Sequence, residues 1–192
     1  MIYYLIASIL IAVAALFART KRAVLAAGIL FYAVQIAAAG LLLWGGLYDT
    51  TSAAFFTFDA LGTLFYLLLV VVSMYVFGHS EAYLQGEDLR SYRLYFALLM
   101  LLTTAIAGAY FANNLAVTWI FLEATTLCSA GIIYHRRTAQ ALEATWKYIF
   151  VCSVGIATAY LGILLLSSLG DGSLRYEELA RSVGGGNPLY LK

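Results

Sequence analysis

Six long apolar runs, separated by short polar connections, organise this sequence of 192 residues. Each run has at least 17 residues and few charges, which is the length a helix needs to cross the hydrocarbon core of a bilayer. The expected fold is therefore an all-α integral membrane protein with six transmembrane helices. We predict spans at 2–18, 23–44, 60–78, 94–112, 115–134 and 148–167. The spans form one region, 1–168, and residues 169–192 are expected to form a short amphipathic tail.

Composition places the same chain in lipid. Hydrophobic residues make up 64% of it and charged residues 11%, with a mean hydropathy of +0.89, far from the average soluble domain. The net charge of +1 and the absence of a long basic run argue against a nucleic-acid partner. Cys128 and Cys152 both fall inside apolar runs, so we interpret them as packing residues and expect no disulfide framework and no metal site.

Basic residues alternate between the connections and predict an orientation, since Lys and Arg are retained on the cytoplasmic side of a membrane. The second and fourth connections contain none. The first, third and fifth connections, with the mouth of the sixth span, contain Arg19, Lys21, Arg22, Arg90, Arg93, Arg136, Arg137 and Lys147. We therefore expect both termini of the six-span unit to lie on the outer side.

Glu123 lies near the middle of the fifth span, where an acid is costly. Insertion into the centre of a membrane helix disfavours a carboxylate by roughly 2.5–3.5 kcal/mol, so such a group tends to face protein or water and to serve a pathway. On a helix, Trp119 and Thr126 lie beside it, and Ala130 lies two turns on. Small and hydroxyl-bearing neighbours suit a face turned toward other helices.

Two interpretations of Glu123 stay open. It is either a neutral, hydrogen-bonded acid that only holds helices together, or a proton carrier. Burial favours the neutral form and a nearby cation favours the charged form, so a mobile ion or a switching partner could load and unload its proton. Proton relay is the sharper hypothesis, and Thr126 is a possible accessory group on the same face.

A second polar group opens the sixth helix. Thr138 is placed to cap that helix, which runs through Glu143 and Lys147, four residues apart in the favourable order, before its apolar span begins. A lysine at a membrane mouth commonly extends its ammonium to the interface, and an exposed pair contributes little. The alternative is that Lys147 is the cytoplasmic input of the proton path, with Glu143 and, inside the span, Ser153 as possible accessory residues.

Other polar residues have weaker functional readings. Asp59 directly precedes the third span, where a carboxylate caps a helix. Gln35 is expected to hydrogen-bond a neighbouring helix rather than a substrate. His79 and His135 lie at the cytoplasmic ends of spans, where a histidine is easily solvated, although either could also collect protons. We keep His135 as a possible accessory residue.

Four strings carry a resemblance to a known family: FDALGTLF and FGHSEAYL around the third span, WIFLEATTLCSAGIIY around Glu123, and LEATWKYIFVCSVG at the sixth. They resemble the proton-pumping, antiporter-like membrane subunits shared by respiratory complex I, multisubunit sodium/proton antiporters and membrane-bound hydrogenases. Within that group, LEATT and LEATWKY most resemble component F of hydrogenase-4-type and formate hydrogenlyase complexes. The resemblance covers about residues 55–182.

The resemblance implies a proton or cation translocator in which Glu123 is the acid of the first half-channel, with Lys147 near its input. In the family that acid pairs with a lysine on the next helix but one, within two inverted five-helix repeats. Here the sequence ends where the partner-bearing seventh helix would begin. We therefore expect the N-terminal portion of a longer or split subunit, holding the accessory helices and the first part of one repeat.

The family further implies a multi-pass protein of a prokaryotic inner membrane, packed against other membrane subunits of a hydrogenase or complex-I-like assembly. The chain has no haem, iron–sulfur, flavin or nucleotide signature, so we expect no cofactor in it and electron transfer in its partners. A purely structural membrane subunit, a fragment without independent transport and part of a multisubunit sodium/proton antiporter remain the alternatives. The sequence leaves open whether the ion is a proton or sodium.

Overall fold

The six apolar runs all form helices, so the predicted all-α class is confirmed. The computed structural model describes residues 2–45, 55–169, 172–176 and 178–179, so most of the predicted tail over 169–192 lies outside the described residues. A 3₁₀ turn, Tyr134–Arg136, joins the last two helices. The helices are α1 Ile2–Leu16, α2 Lys21–Gly45, α3 Ala60–Tyr83, α4 Leu89–Phe111, α5 Leu115–Ile133 and α6 Ala139–Leu169.

Five of these helices, α2 to α6, are long and apolar enough to cross a membrane. The first helix is equally apolar but has 15 residues, about 22 Å of rise, which is shorter than a hydrocarbon core of about 30 Å. The chain is therefore a multi-pass membrane protein whose first helix is shorter than the predicted span 2–18.

Polar side chains fix where the helices begin. Asp59 accepts a hydrogen bond from the Gly62 amide at 3.1 Å, and Thr138 accepts one from the Ala141 amide at 3.0 Å. Both predicted caps are thus confirmed. Asn114 caps α5 in the same way, accepting from the Ala116 amide at 2.9 Å. These contacts satisfy amides that have no partner within their own helix.

The core of the described bundle lies around α4, which packs against α1, α2, α3 and α5. More than half of its apolar window, 56%, is buried, whereas none of the corresponding window of α6 is buried. The last helix contacts the rest of the bundle mainly through α5 and the 3₁₀ turn. The α5–α6 hairpin is consequently the exposed edge of the described bundle.

Three connections meet at one end of the bundle, which we call the basic end: residues 17–20, 84–88 and 134–138. Lys21 donates to the carbonyls of Gln85 at 3.0 Å and Glu87 at 2.7 Å. Arg136 pairs with the Glu87 carboxylate at 3.0 Å. The third connection is thereby held from both sides, and the basic residues predicted to share one side of the membrane do lie at one end.

Candidate functional site

Glu123 lies in the middle of α5, eight residues after its start at Leu115 and ten before its end at Ile133. At 1.5 Å per residue, the acid is about 12 Å from one end of the helix and about 15 Å from the other. Its side chain is half-buried. The acid therefore lies in the middle of the fifth helix.

The two faces of α5 have different partners. One face packs on α4: a side chain added at Gly131 would come within 2.6 Å of Leu98, and Phe121 lies close over Gly108. A cavity of about 270 Å³ on this side is lined mainly by apolar residues. The other face meets α6, where Trp119 donates its indole N–H to the Ile156 carbonyl at 3.1 Å.

Glu123 lies on the flank beside the α6-facing side. It is one turn from Trp119 and does not line the cavity between α1, α4 and α5. Thr126 lies within one turn of the acid, and its hydroxyl donates to the Glu123 backbone carbonyl at 2.8 Å rather than to the carboxylate. Across residues 2–45, 55–169, 172–176 and 178–179, no side chain or amide hydrogen-bonds or ion-pairs with the Glu123 carboxylate.

Contacts between α5 and α6 fix their register. The Tyr148 hydroxyl interacts with the Ser129 side chain near one end of the hairpin, and the Trp119 ring lies 4.8 Å from the Tyr160 ring, centroid to centroid, near the other. Because Tyr148 is level with Ser129, Lys147 is level with Ala130 in this antiparallel pair. That is seven residues from Glu123, or about 10 Å along the helix axis.

Lys147 is therefore not a direct partner of Glu123. Its ammonium bonds the Glu143 carboxylate at 2.5 Å, with 74% of the lysine side chain and 66% of the glutamate side chain exposed. This is the predicted i, i+4 pair, placed toward the basic end. The structure separates the predicted residues into an acid in the middle of α5 and an exposed pair nearer the basic end.

Ser153 lies on the exposed face of α6, away from α5. The polar group that the sequence interpretation missed on this helix is Tyr148, which interacts with the side chains of Ser129 and Cys152. The spacing of Tyr148, Cys152 and Ile156 at four residues is the signal that marks the α5-facing side. We call the contact between α5 and α6 the seam. Along its axis, Ser129 and Tyr148 lie between the level of Lys147 and that of Glu123.

His135 is buried, so the expectation of a solvated histidine is wrong at this position. Only 7% of the residue is exposed, and its Nδ1 lies 2.7 Å from the Ile132 carbonyl, while the buried Nε2 has no hydrogen-bond partner in the described part of the chain. The rings of Tyr83 and Tyr95 flank it at 6.3 and 5.3 Å. Burial follows because Arg136, next in sequence, reaches over Tyr83 to Glu87 and closes the 3₁₀ turn over the ring.

His79 is exposed, as expected, and stacks on Tyr75. Gln35 is fully buried and accepts hydrogen bonds from Tyr4 at 2.6 Å and Tyr66 at 2.8 Å. The expectation that it bonds neighbouring helices is confirmed. Cys128 and Cys152 are free thiols, and no group of three metal-binding side chains occurs within the described ranges.

Comparison with known proteins gives one family match, over residues 112–189, to the transmembrane family described as NADH:quinone oxidoreductase/Mrp antiporter. A hydrogenase-4 component F homolog of Methylacidiphilum infernorum is 30% identical over 58% of this chain and 25% of its own length. NADH-quinone oxidoreductase subunit N of Hydrogenovibrio crunogenus is 30% identical over 69% of this chain and 27% of its length. Na(+)/H(+) antiporter subunit A1 of Staphylococcus haemolyticus is 27% identical over 65% and 15%.

The match over 112–189 contains Glu123, Glu143 and Lys147, so the whole α5–α6 hairpin lies within the region of similarity. The chain spans about a quarter of the length of the first two relatives, at 25% and 27%.

Proposed function

Because this chain belongs to the antiporter-like membrane subunits of the NADH:quinone oxidoreductase/Mrp family, we propose that it carries part of a proton path through a redox-driven membrane complex. Glu123 is the carrier in this proposal. The observation that supports it most is a half-buried carboxylate at mid-depth in a membrane-spanning helix, to which the described residues offer no hydrogen bond or ion pair.

An acid in this position is unstable in its charged form, because hydrocarbon does not solvate a carboxylate. If Glu123 only joined helices, its carboxyl group would be expected to bond a neighbouring helix, as Gln35 does. The contrast between the two residues favours a group whose partner arrives and leaves. A proton meets this requirement, since binding it removes the charge, and releasing it to water or a base, which a nearby cation favours, restores the charge.

The seam between α5 and α6 is the proposed route to Glu123. Lys147 and Glu143 lie on the exposed side of α6, outside the seam, with Lys147 about 10 Å from the level of the acid along the axis, which is too far for one direct proton transfer. Between the levels of Lys147 and Glu123, the hairpin has three side chains with exchangeable protons: Ser129, Tyr148 and Thr126. Water between these hydroxyls completes the path in this proposal, and Lys147 delivers the proton from the basic end.

The partners are further membrane subunits of a hydrogenase or quinone-reductase assembly, which carry the electron-transfer groups. The exposed outer faces of α5 and α6 are where we place them, since these faces have no cover in the described bundle. We further propose a bacterial inner membrane as the location, with the basic end facing the cytoplasm and both ends of the six-helix unit outside.

The experiment is Glu123→Gln in the assembled complex, reconstituted in vesicles with an internal pH-sensitive dye. Glutamine keeps the size and polarity but cannot carry a proton, so we expect acidification to fall to the level of vesicles without the complex. Glu81→Gln, at the exposed end of α3, is the matched control and should retain the signal. Unchanged acidification in Glu123→Gln would identify a structural subunit instead, and a signal that requires sodium would identify the antiporter alternative.

A further inference from the structure

An unpaired group of arginines lies at the basic end, on the side formed by the α1–α2 loop and the start of α4. Arg93 donates to the Ala18 carbonyl at 3.1 Å, which brings the first turns of α4 against this loop. Arg19 follows Ala18 in sequence, and Arg90 precedes Arg93 by one turn on the same side of the helix. We call Arg19, Arg22, Arg90 and Arg93 the loop patch.

The acids nearby do not neutralise the loop patch. No ion pair joins any of its four guanidinium groups to a carboxylate within the ranges that the structure describes. Glu87 is engaged by Arg136, and Asp88 caps α4 through the Arg90 amide. The pKa of Asp88 is lowered, chiefly by a hydrogen bond from the Ser91 side chain, so it remains a charged helix cap at neutral pH. Glu81, near the end of α3, forms no ion pair with the loop patch in the described ranges.

Helix ends add to this positive potential. The first turns of α2 and α4 contain no acidic residue, and they carry Lys21, Arg22 and Arg90 instead. A helix N-terminus itself bears about half a positive charge, so cations there are unfavourable unless an anion is bound. The Arg93 Nε is also buried without a hydrogen-bond partner in the described part of the chain. The start of α4 already has the Asp88 carboxylate as its cap, so the start of α2 and the four arginines are what point to a missing anion.

We propose that the loop patch binds the phosphate of an anionic phospholipid. The patch lies at the end of membrane-spanning helices, where headgroups are found, and arginine suits phosphate because its fork of donors matches the oxygens. An apolar stripe along α1 leads to it: Leu10 and Val13 on the helix and Phe17 just after its end are 63%, 38% and 78% exposed. Acyl chains along this stripe would set a lipid headgroup beside Arg19.

The test uses the full-length protein, in its complex where one is isolated, purified in a neutral detergent and titrated with phosphatidylglycerol. Retained lipid is counted by native mass spectrometry, with phosphatidylcholine as the neutral comparison. We expect Arg19→Gln to weaken phosphatidylglycerol binding about fivefold and Arg19→Gln with Arg90→Gln about 25-fold, since each interfacial arginine contributes a similar amount. Arg137→Gln, an exposed arginine at the same end on the α5–α6 link, is the control and should bind as the original protein does.

Several outcomes would overturn the proposal. Equal retention of the neutral and anionic lipids by the original protein would remove the charge requirement. A double variant that retains the anionic lipid fully, or a control that loses as much as the double variant, would exclude the loop patch. Glycerol 3-phosphate that competes as tightly as the lipid would show a site for a free phosphate. If the double variant fails to fold, Arg19→Gln decides alone, because Arg19 is exposed on a loop.

Discussion

Replacing Gln35 by leucine tests whether the buried polar cluster holds α1, α2 and α3 together. The Gln35 side-chain oxygen accepts from Tyr4 at 2.6 Å and from Tyr66 at 2.8 Å. Leucine removes this acceptor from both hydroxyls. Tyr66 keeps a longer bond to the Gln35 backbone carbonyl at 3.2 Å, whereas the Tyr4 hydroxyl loses its 2.6 Å acceptor and is left with the neighbouring side chains of Tyr66 and Ser8. The loss of hydrogen-bond energy is therefore larger at Tyr4 than at Tyr66.

The magnitude follows from these contacts. A buried donor left without its acceptor costs about 1–3 kcal/mol, and side-chain hydrogen bonds between membrane helices lie at or below the lower end of that range, at about 0.6–2 kcal/mol. Gln35→Leu also removes the buried Gln35 Nε2, which has no partner among the described residues, and this offsets part of the loss. We expect a net destabilisation of about 1–2 kcal/mol, or a Tm lower by about 2–8 °C for a protein of this size.

Thermal unfolding in detergent, followed by tryptophan fluorescence, measures the change. Gln140→Leu, an exposed glutamine at the start of α6, is the matched control and should leave Tm within about 1 °C, as surface substitutions usually do. Tyr4→Phe combined with Gln35→Leu removes the donor together with its acceptor, so the double variant should be more stable than the sum of the single changes predicts, by about 1 kcal/mol. Strict additivity would refute the proposed hydrogen bond.

Three further changes test the packing. Gly28→Ala should destabilise the fold by about 1–3 kcal/mol, because its new methyl group would lie 2.0 Å from the buried Phe77 ring, whereas Gly155→Ala, with no neighbouring side chain within 4 Å, should not lower Tm. Trp119→Phe loses the bond to the Ile156 carbonyl, so amide hydrogen exchange should rise in α6 and not in α4; equal exchange would argue against this contact. Arg136→Gln should cost less than about 1 kcal/mol, because its pair with Glu87 is partly exposed, and the difference from the original protein should shrink in high salt.

The helices could be predicted from the sequence because long apolar runs dominate it, and in lipid such runs satisfy their backbone groups by forming helices. Local rules also located the caps at Asp59 and Thr138, since a cap involves residues only three positions apart. The relation of Lys147 to Glu123 could not be predicted. It depends on the register of α5 against α6, which is fixed by Tyr148 and Trp119 across the hairpin.

The burial of His135 was equally hidden, because its cover comes from distant segments. Tyr83 and Tyr95 flank it from α3 and α4, and Glu87 in the α3–α4 connection holds the neighbouring Arg136. No periodicity near His135 indicates these contacts. The partners of Gln35 show the same limit. A lone amide in an apolar run predicts that some helix bonds it, but the choice of Tyr4 and Tyr66 is made by the packing of three helices.

The axial offset between Lys147 and Glu123 has an electrical consequence. Moving one charge across a whole bilayer changes its energy by about 2.3 kcal/mol for each 100 mV. A displacement of about 10 Å covers roughly a third of a core of about 30 Å, so passing a proton between these two levels would exchange about 0.8 kcal/mol with the field per 100 mV. At a membrane potential of about 100 mV, the ratio of protons on Lys147 to protons on Glu123 would then change about fourfold when an ionophore collapses the potential.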